Sequence, residues 1–165
     1  YLGEPVEMPT PKKVGMPRHR GATDTLRATL HVIGLACINE TLAADFVSRC
    51  LDASEAPTVR ASCSEHLRDE IGHARVGWAH LASGILDARD KRVVAACMPR
   101  LIAANGRQWI ARVRTLPEEG VAGHGYPPVR ELEAGLRGAL RDIVVPGLAH
   151  VGIDATRARA AATSV

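Results

Sequence analysis

Aromatic residues are scarce in this chain: two Trp, two Tyr and one Phe make up 3% of its 165 residues. β-Sheets draw heavily on aromatic and β-branched residues, so a sheet-based fold is disfavoured. Apolar residues nevertheless account for 46% of the chain, and the prominence of Ala, Leu and Val among them is typical of packed helices. The length suits one domain with its own core. We therefore predict an all-α fold.

The sequence also lacks a block of charge of one sign. Its formal net charge is only +3, and its Arg residues are scattered along the chain without aromatic residues between them. Nucleic-acid-binding surfaces usually combine concentrated positive charge with aromatic side chains that stack on bases. We therefore expect no nucleic-acid partner.

Long apolar runs and a signal-like start are absent as well. Because a spanning helix needs about 18 or more apolar residues in succession, we expect no membrane-spanning segment. The chain begins at Tyr1 rather than Met, which fits a processed chain or one part of a longer polypeptide and leaves its location open. The cysteines match no zinc or disulfide spacing, so we expect reduced thiols, which favour a soluble, cytoplasmic protein. These cysteines are Cys37, Cys50, Cys63 and Cys97.

Proline and helical periodicity divide the chain into three parts. Residues 1–22 contain four prolines, which resist helix formation and predict an extended arm. Residues 23–153 show the periodicity of a helical bundle, with a bend or interruption expected at Pro99 and a helix end at Pro146-Gly147. The predicted elements are helices at 24–52, 57–83, 88–115 and 129–145, and a short C-terminal helix or tail at 154–165.

The most informative pattern is Glu70-x-x-His73, within helix 57–83. Residues three apart lie one above the other on a helix, so this carboxylate and this imidazole can reach a single cation. Di-iron carboxylate sites in four-helix bundles take a Glu from each of two helices and a Glu-x-x-His from each of the other two. The matching lone carboxylate upstream is Glu40, in an apolar stripe of the first helix.

A helix hairpin would bring these residues together. If the first two helices are antiparallel, Glu40 lies level with residues 70–72, and Glu40, Glu70 and His73 share one layer. This mixed oxygen and nitrogen set suits iron or manganese, with zinc as the competing metal. The alternative interpretation is a solvent-exposed motif that arises by chance, but a lone carboxylate in an apolar stripe is costly without a partner.

Other polar residues are weaker candidates. His66 and His80 each lie about two turns, or roughly 10 Å, from His73, too far to bind the same ion. They could donate hydrogen bonds to the ligands, line a channel or be partly exposed, and we favour partial exposure. Asp69 points about 100° away from Glu70, which favours an outer or surface contact. We expect His31 to be a hydrogen-bonded histidine turned away from Glu40.

The third and fourth helices offer no second Glu-x-x-His. Without one, a complete dinuclear site within this chain is not expected. Single residues that could add a ligand are Asn105, Gln108, Glu131, Glu133 and Asp142.

Three segments carry a family resemblance. They are residues 39–44 (NETLAA), 56–60 (APTVR) and 69–75 (DEIGHAR), the last followed by Trp78. Together they resemble the second half of bacterial ferritin-like proteins related to the rubrerythrin and di-iron carboxylate group, in which two helix pairs each carry a Glu and an Asp-Glu-x-x-His-Ala motif. The two ends of the chain are similar to the linker after the first pair and to the final helix of those proteins; these ends are residues 1–6 and 140–146.

The resemblance implies a ferritin-like antiparallel helical bundle with an extended N-terminal arm. It also implies that Glu40, Glu70 and His73 are ligands of a non-haem di-iron or di-manganese centre. Our leading hypothesis is that this centre has redox activity toward dioxygen or peroxide. The first helix pair is missing, so another protein chain or a second copy would complete the bundle. The competing hypothesis is a non-catalytic helical scaffold or assembly subunit with a vestigial metal site.

Overall fold

The structure is a computed structural model that describes His19 and residues 21–165. This part of the chain contains isolated β-bridges but no strand, and the all-α prediction is confirmed for it. The predicted arm at 1–22 lies almost entirely outside these residues. The helices are α1 (Asp24–Asp52), α2 (Pro57–Ala82), α3 (Ala88–Val113), α4 (129–150) and α5 (Thr156–Thr163).

Local signals begin the first three helices where the sequence predicts. At the start of α1, the Thr23 side chain accepts a hydrogen bond of 3.2 Å from the Leu26 N–H. Pro57 lies in the first turn of α2, and Asp87 accepts a bond of 2.7 Å from the Asp90 N–H at the start of α3. Thr and Asp side chains satisfy a free backbone N–H at a helix start, whereas proline in the first turn has no N–H that needs a partner. These boundaries were therefore predictable.

Neither Pro99 nor Pro146 breaks its helix. α3 runs through Pro99 without interruption, and the prediction that Pro146-Gly147 ends α4 was wrong, because α4 continues to His150. A π-helical segment, Leu140–Val144, lies just before Pro146. A π turn bonds residues five apart and widens the helix. The carbonyl four residues before Pro146, which a proline ring would meet in a regular helix, is thereby moved away from the ring.

α1 is the central helix of the core. Leu30, Ile33 and Ile38 are completely buried among apolar side chains from α3, α4 and α5. By length and composition α1 could also cross a membrane, and half of its most apolar stretch is buried inside the protein. The core helix of a soluble protein meets the same criteria.

α2 packs on the outer side of α1 as the second arm of a hairpin. Gly77 lies against Ala36 of α1, and within α2 only Gly77 and Leu81 are buried. The rest of the protein therefore covers α2 only in part, and Ile71 of this helix is exposed. The side chains of α2 that face away from α1 are open to solvent over most of the helix.

The segment between α3 and α4 folds back onto the turn of the hairpin. The Gly123 carbonyl accepts hydrogen bonds from the backbone N–H groups of Glu55 and Ala56. The buried side chain of Ser54 donates to the Cys50 carbonyl at 2.6 Å. These contacts fix the end of the hairpin, and the hairpin positions the candidate site.

Candidate metal centre

Three predicted ligands lie together where α1 and α2 face each other. Glu40 comes from α1, Glu70 and His73 come from α2, and one ligand atom of each lies within 4.8 Å of the others. The His73 Nδ1 atom is 3.4 Å from Glu70 Oε2 and 3.7 Å from Glu40 Oε2. Among the described residues this is the one group of three or more acidic, His or Cys side chains with such spacing.

Close contact between the two helix backbones makes this grouping possible. Gly77 lies about one turn beyond His73, and it meets the backbone of Ala36, about one turn before Glu40. Because glycine has no Cβ, the two helices approach closely at this level. With Ala36 and Gly77 at one level, Glu40 lies level with His73, and Glu70 lies one turn further along α2.

A π-helical segment, Ile33–Asn39, immediately precedes Glu40 in α1. The Glu40 N–H bonds to the carbonyl of Leu35, five residues earlier. A π turn rotates the side chains after it relative to those before it, and such segments occur often at functional sites. Here the π turn sets the direction of the Glu40 side chain relative to the buried side chains in the first half of α1. The sequence pattern did not predict this segment.

α3 reaches the site through a chain of two hydrogen bonds that sequence reasoning missed. The Trp109 Nε1–H donates to Asn39 Oδ1 at 2.9 Å, and Asn39 Nδ2 donates to Glu40 Oε1 at 3.4 Å. The Trp109 ring packs against Phe46, with 5.7 Å between ring centroids. Asn39 therefore fixes one oxygen of Glu40, and Trp109 of α3 in turn holds Asn39 in place. No local signal in the sequence pairs residue 39 with residue 109.

His66 makes the hydrogen bond to a ligand that the sequence left open as an alternative to simple exposure. Its side chain is largely exposed, but Nε2 lies 2.7 Å from Glu70 Oε1, one turn further along α2. The ring N–H donates to the carboxylate and so orients Glu70 from outside the triad. The spacing of four residues between 66 and 70 could have predicted this contact.

The pKa values of Glu40 and Glu70 are shifted in opposite directions. Burial, together with the hydrogen bond and charge of Glu70, raises the pKa of Glu40 above its usual value. The hydrogen bond from Glu40 lowers the pKa of Glu70, and those from His73 and His66 lower it further. Of the two carboxyls, Glu40 is therefore the first to take up a proton as the pH falls, and Glu70 keeps its negative charge longer. A cation between the two carboxylates would offset the charge of Glu70 that helps to raise the pKa of Glu40.

The remaining predicted outer residues of α1 and α2 lie away from the triad. His80 Nε2 is 3.2 Å from the hydroxyl of the buried Thr29, and Asp69 is exposed. His31 stacks edge-on against His19, with 5.6 Å between ring centroids. The Nε2 atom of His31 is buried and has no hydrogen-bond partner among the described residues.

The candidate ligands from the third and fourth helices do not join the triad either. Asn105 donates to the Leu101 carbonyl, and Gln108 and Glu131 are exposed. The carboxylate of Glu133 is held by Arg114 and Arg137, and Asp142 pairs with Arg141. Within the described residues, the site therefore consists of three protein ligands from two helices.

The arrangement can bind a cation from one side only. The side chains of Glu40 and Glu70 are mostly buried, whereas that of His73 is 63% exposed. Two carboxylates and one imidazole suit iron or manganese, and also zinc. No protein-family model, curated protein or solved structure was found to match this chain.

Proposed function

We propose that Glu40, Glu70 and His73 form half of a non-haem di-iron or di-manganese redox centre, which a partner chain completes within a ferritin-like bundle. The observation that carries this proposal is the convergence of two carboxylates and one imidazole from two helices within 4.8 Å. This is half of the ligand set that dinuclear carboxylate bundles use. The resemblance of residues 39–44 and 69–75 to ferritin-like proteins points the same way.

The donor set fits the metal that the proposal requires. Glu40 and Glu70 each bring a carboxylate oxygen within 4.8 Å of the other, so one cation between them would neutralise both carboxylates. His73 adds a nitrogen donor, and His66 holds Glu70 in position from outside. Iron or manganese in such a site supplies redox chemistry toward dioxygen or peroxide. The residues of this chain bind and orient the metal.

Metal binding to single-residue variants tests the proposal. The metal-free protein is titrated with Mn²⁺ or Fe²⁺ under anaerobic conditions, and bound metal is measured after gel filtration. Glu70→Ala and His73→Ala should each lower the affinity by more than about 100-fold, because loss of even an outer partner of a metal ligand typically costs about 10- to 100-fold. Helicity, measured by circular dichroism, should stay nearly unchanged because both side chains lie at the edge of the core.

Asp69→Ala is the matched control, since Asp69 is an exposed carboxylate beside Glu70 on the same helix. It should bind metal like the unaltered chain. Retention of stoichiometric metal by both ligand variants would rule out the assigned ligands. Oxidation of bound Fe²⁺ by dioxygen or peroxide, compared between the unaltered chain and His73→Ala, then tests the redox activity.

One observation favours the alternative of a non-catalytic scaffold with a vestigial site. The other flank of α2 borders an apolar groove of about 410 Å³ that is lined by Leu67, Ile71, Trp78 and Ile143. An exposed apolar groove is typical of an assembly surface. A protein that assembles normally but binds neither Mn²⁺ nor Fe²⁺ would support the scaffold and contradict the redox centre.

A further inference from the structure

The two most exposed large apolar side chains in the described residues lie on the face that carries the triad. Val76 is 70% exposed and Leu35 is 59% exposed. Val76 follows His73 by three residues in α2. Leu35 precedes Glu40 by five residues in α1, and its carbonyl accepts the hydrogen bond from the Glu40 N–H. We call the surface formed by Leu35, Val76 and the triad the metal face.

The register of the hairpin brings these two side chains to one level. Gly77 lies against Ala36, so the neighbouring residues Val76 and Leu35 are nearly level along the two antiparallel helices. Both are about one turn, or roughly 5 Å, from the level of Glu40 and His73. An apolar patch therefore adjoins the triad. Single exposed apolar residues need no explanation. Two such side chains at one level, beside a site with half of its ligands, indicate a surface that a partner covers.

The chemistry of the metal face restricts what can cover it. A purely apolar partner would bury Glu40 and Glu70 without satisfying their charge, which is costly. The occupant must therefore bring a cation, and further donors for it, together with an apolar surface that fits Leu35 and Val76. Another metal face has these properties.

We propose that the metal face binds the metal face of a second copy of this chain, around a twofold axis and with metal ions between the copies. This inference rests on the proposed function and names the partner that it requires. A dinuclear carboxylate bundle needs a Glu from two helices and a Glu-x-x-His from two others, and this chain contains one of each. A twofold axis pairs the same patch on both subunits and so completes the set.

Electrostatics makes this pairing depend on metal. Two metal faces bring together four carboxylates, two from each chain, which repel each other when no cation lies between them. Two divalent cations carry the charge that balances four carboxylates. The metal-free chain should therefore be a monomer, and the metal-bound chain a dimer with one metal per subunit.

Sedimentation velocity on the whole chain tests the inference. In EDTA the mass should be that of one chain, 17.6 kDa, and with stoichiometric Mn²⁺ it should double. The double variant Leu35→Gln/Val76→Gln should raise the Kd of the Mn²⁺-bound dimer by more than about tenfold, since apolar contact is lost on both subunits. Gln preserves helix propensity and adds no charge beside the ligands.

The matched control is Ile85→Gln/Val93→Gln, which replaces two exposed apolar residues outside the metal face and should leave the Kd unchanged. Mn²⁺ bound stoichiometrically by a chain that stays monomeric would overturn the second copy and leave the metal site intact. A dimer that responds equally to both double variants would overturn the metal face as its interface. Absence of Mn²⁺ binding would overturn the proposed metal centre, and this inference with it.

Discussion

Gly77 of α2 lies so close to Ala36 of α1 that a Cβ atom at position 77 would be 2.6 Å from the Ala36 Cβ atom. It would also be 2.9 Å from the Ala36 carbonyl carbon and 3.0 Å from the Cys37 nitrogen. Two of these three contacts are with backbone atoms, which cannot move aside as a flexible side chain can. The distance between the two helices, and hence the meeting of Glu40 with Glu70 and His73, depends on this glycine.

Gly77→Ala should therefore weaken both the fold and the metal site. We expect the free energy of unfolding to fall by about 1–3 kcal/mol, the usual cost of forcing extra atoms into a packed contact. Metal affinity should fall as well, because separated helices move Glu40 away from the two ligands of α2. Urea unfolding and Mn²⁺ titration measure the two effects.

Gly72→Ala provides the control within the same helix. A Cβ atom at position 72 would meet nothing within 4 Å, and alanine stabilises an exposed helix position by about 0.5–1 kcal/mol relative to glycine. Opposite changes in stability are therefore expected from the same substitution at two positions five residues apart. Equal changes would show that Gly77 does not set the helix spacing.

Much of this arrangement was predictable because it depends on short-range rules. Helix starts follow from capping residues and prolines such as Thr23 and Pro57, and the level of Glu40 against Glu70 follows from the geometry of a hairpin. The rest depends on packing between distant residues. The contact of Asn39 with Trp109 joins positions 70 residues apart, and no local pattern encodes it.

The π segments show the same limit. Ile33–Asn39 is an ordinary apolar helical stretch in sequence, and the widened turn places one more residue in it than a regular helix would. Its cost has to be offset by packing on both sides, which a single sequence does not display. The second π segment, Leu140–Val144, likewise explains why Pro146 fails to end α4.

The hydrogen bonds of Asn39 make it a positioning residue for Glu40. Asn39→Ala should lower Mn²⁺ affinity by about 10-fold or more, as for other outer partners of metal ligands. It should also lower the free energy of unfolding by about 1–3 kcal/mol, because the partly buried Trp109 N–H loses its acceptor. Both effects are measured in the same titration and unfolding experiments as above.

Trp109→Phe separates these two effects. It removes the N–H donor but keeps an aromatic ring against Phe46 and leaves the Asn39 amide beside Glu40. Stability should fall while Mn²⁺ affinity stays close to that of the unaltered chain. If Trp109→Phe weakened Mn²⁺ binding as much as Asn39→Ala, the effect of Asn39 would come from packing rather than from its contact with Glu40.

The four cysteines should divide into two classes of reactivity. Burial raises the pKa of Cys37 to about 12 and, with a smaller effect from the charge of Cys63, raises that of Cys50 to about 11. Only the thiolate reacts with alkylating reagents, and at pH 8 both groups remain almost wholly protonated. Cys63 and Cys97 are half-buried and are therefore easier to reach.

A short pulse of iodoacetamide at pH 8, followed by peptide mass spectrometry, should label Cys63 and Cys97 before Cys37 and Cys50. In urea all four thiols should react at similar rates, because unfolding removes the burial that raises the two pKa values. Labelling of Cys37 in the folded protein as fast as Cys97 would mean that α1 opens readily. Since Cys37 lies three residues before Glu40 on the helix that supplies that ligand, such opening would also contradict a rigidly held metal site.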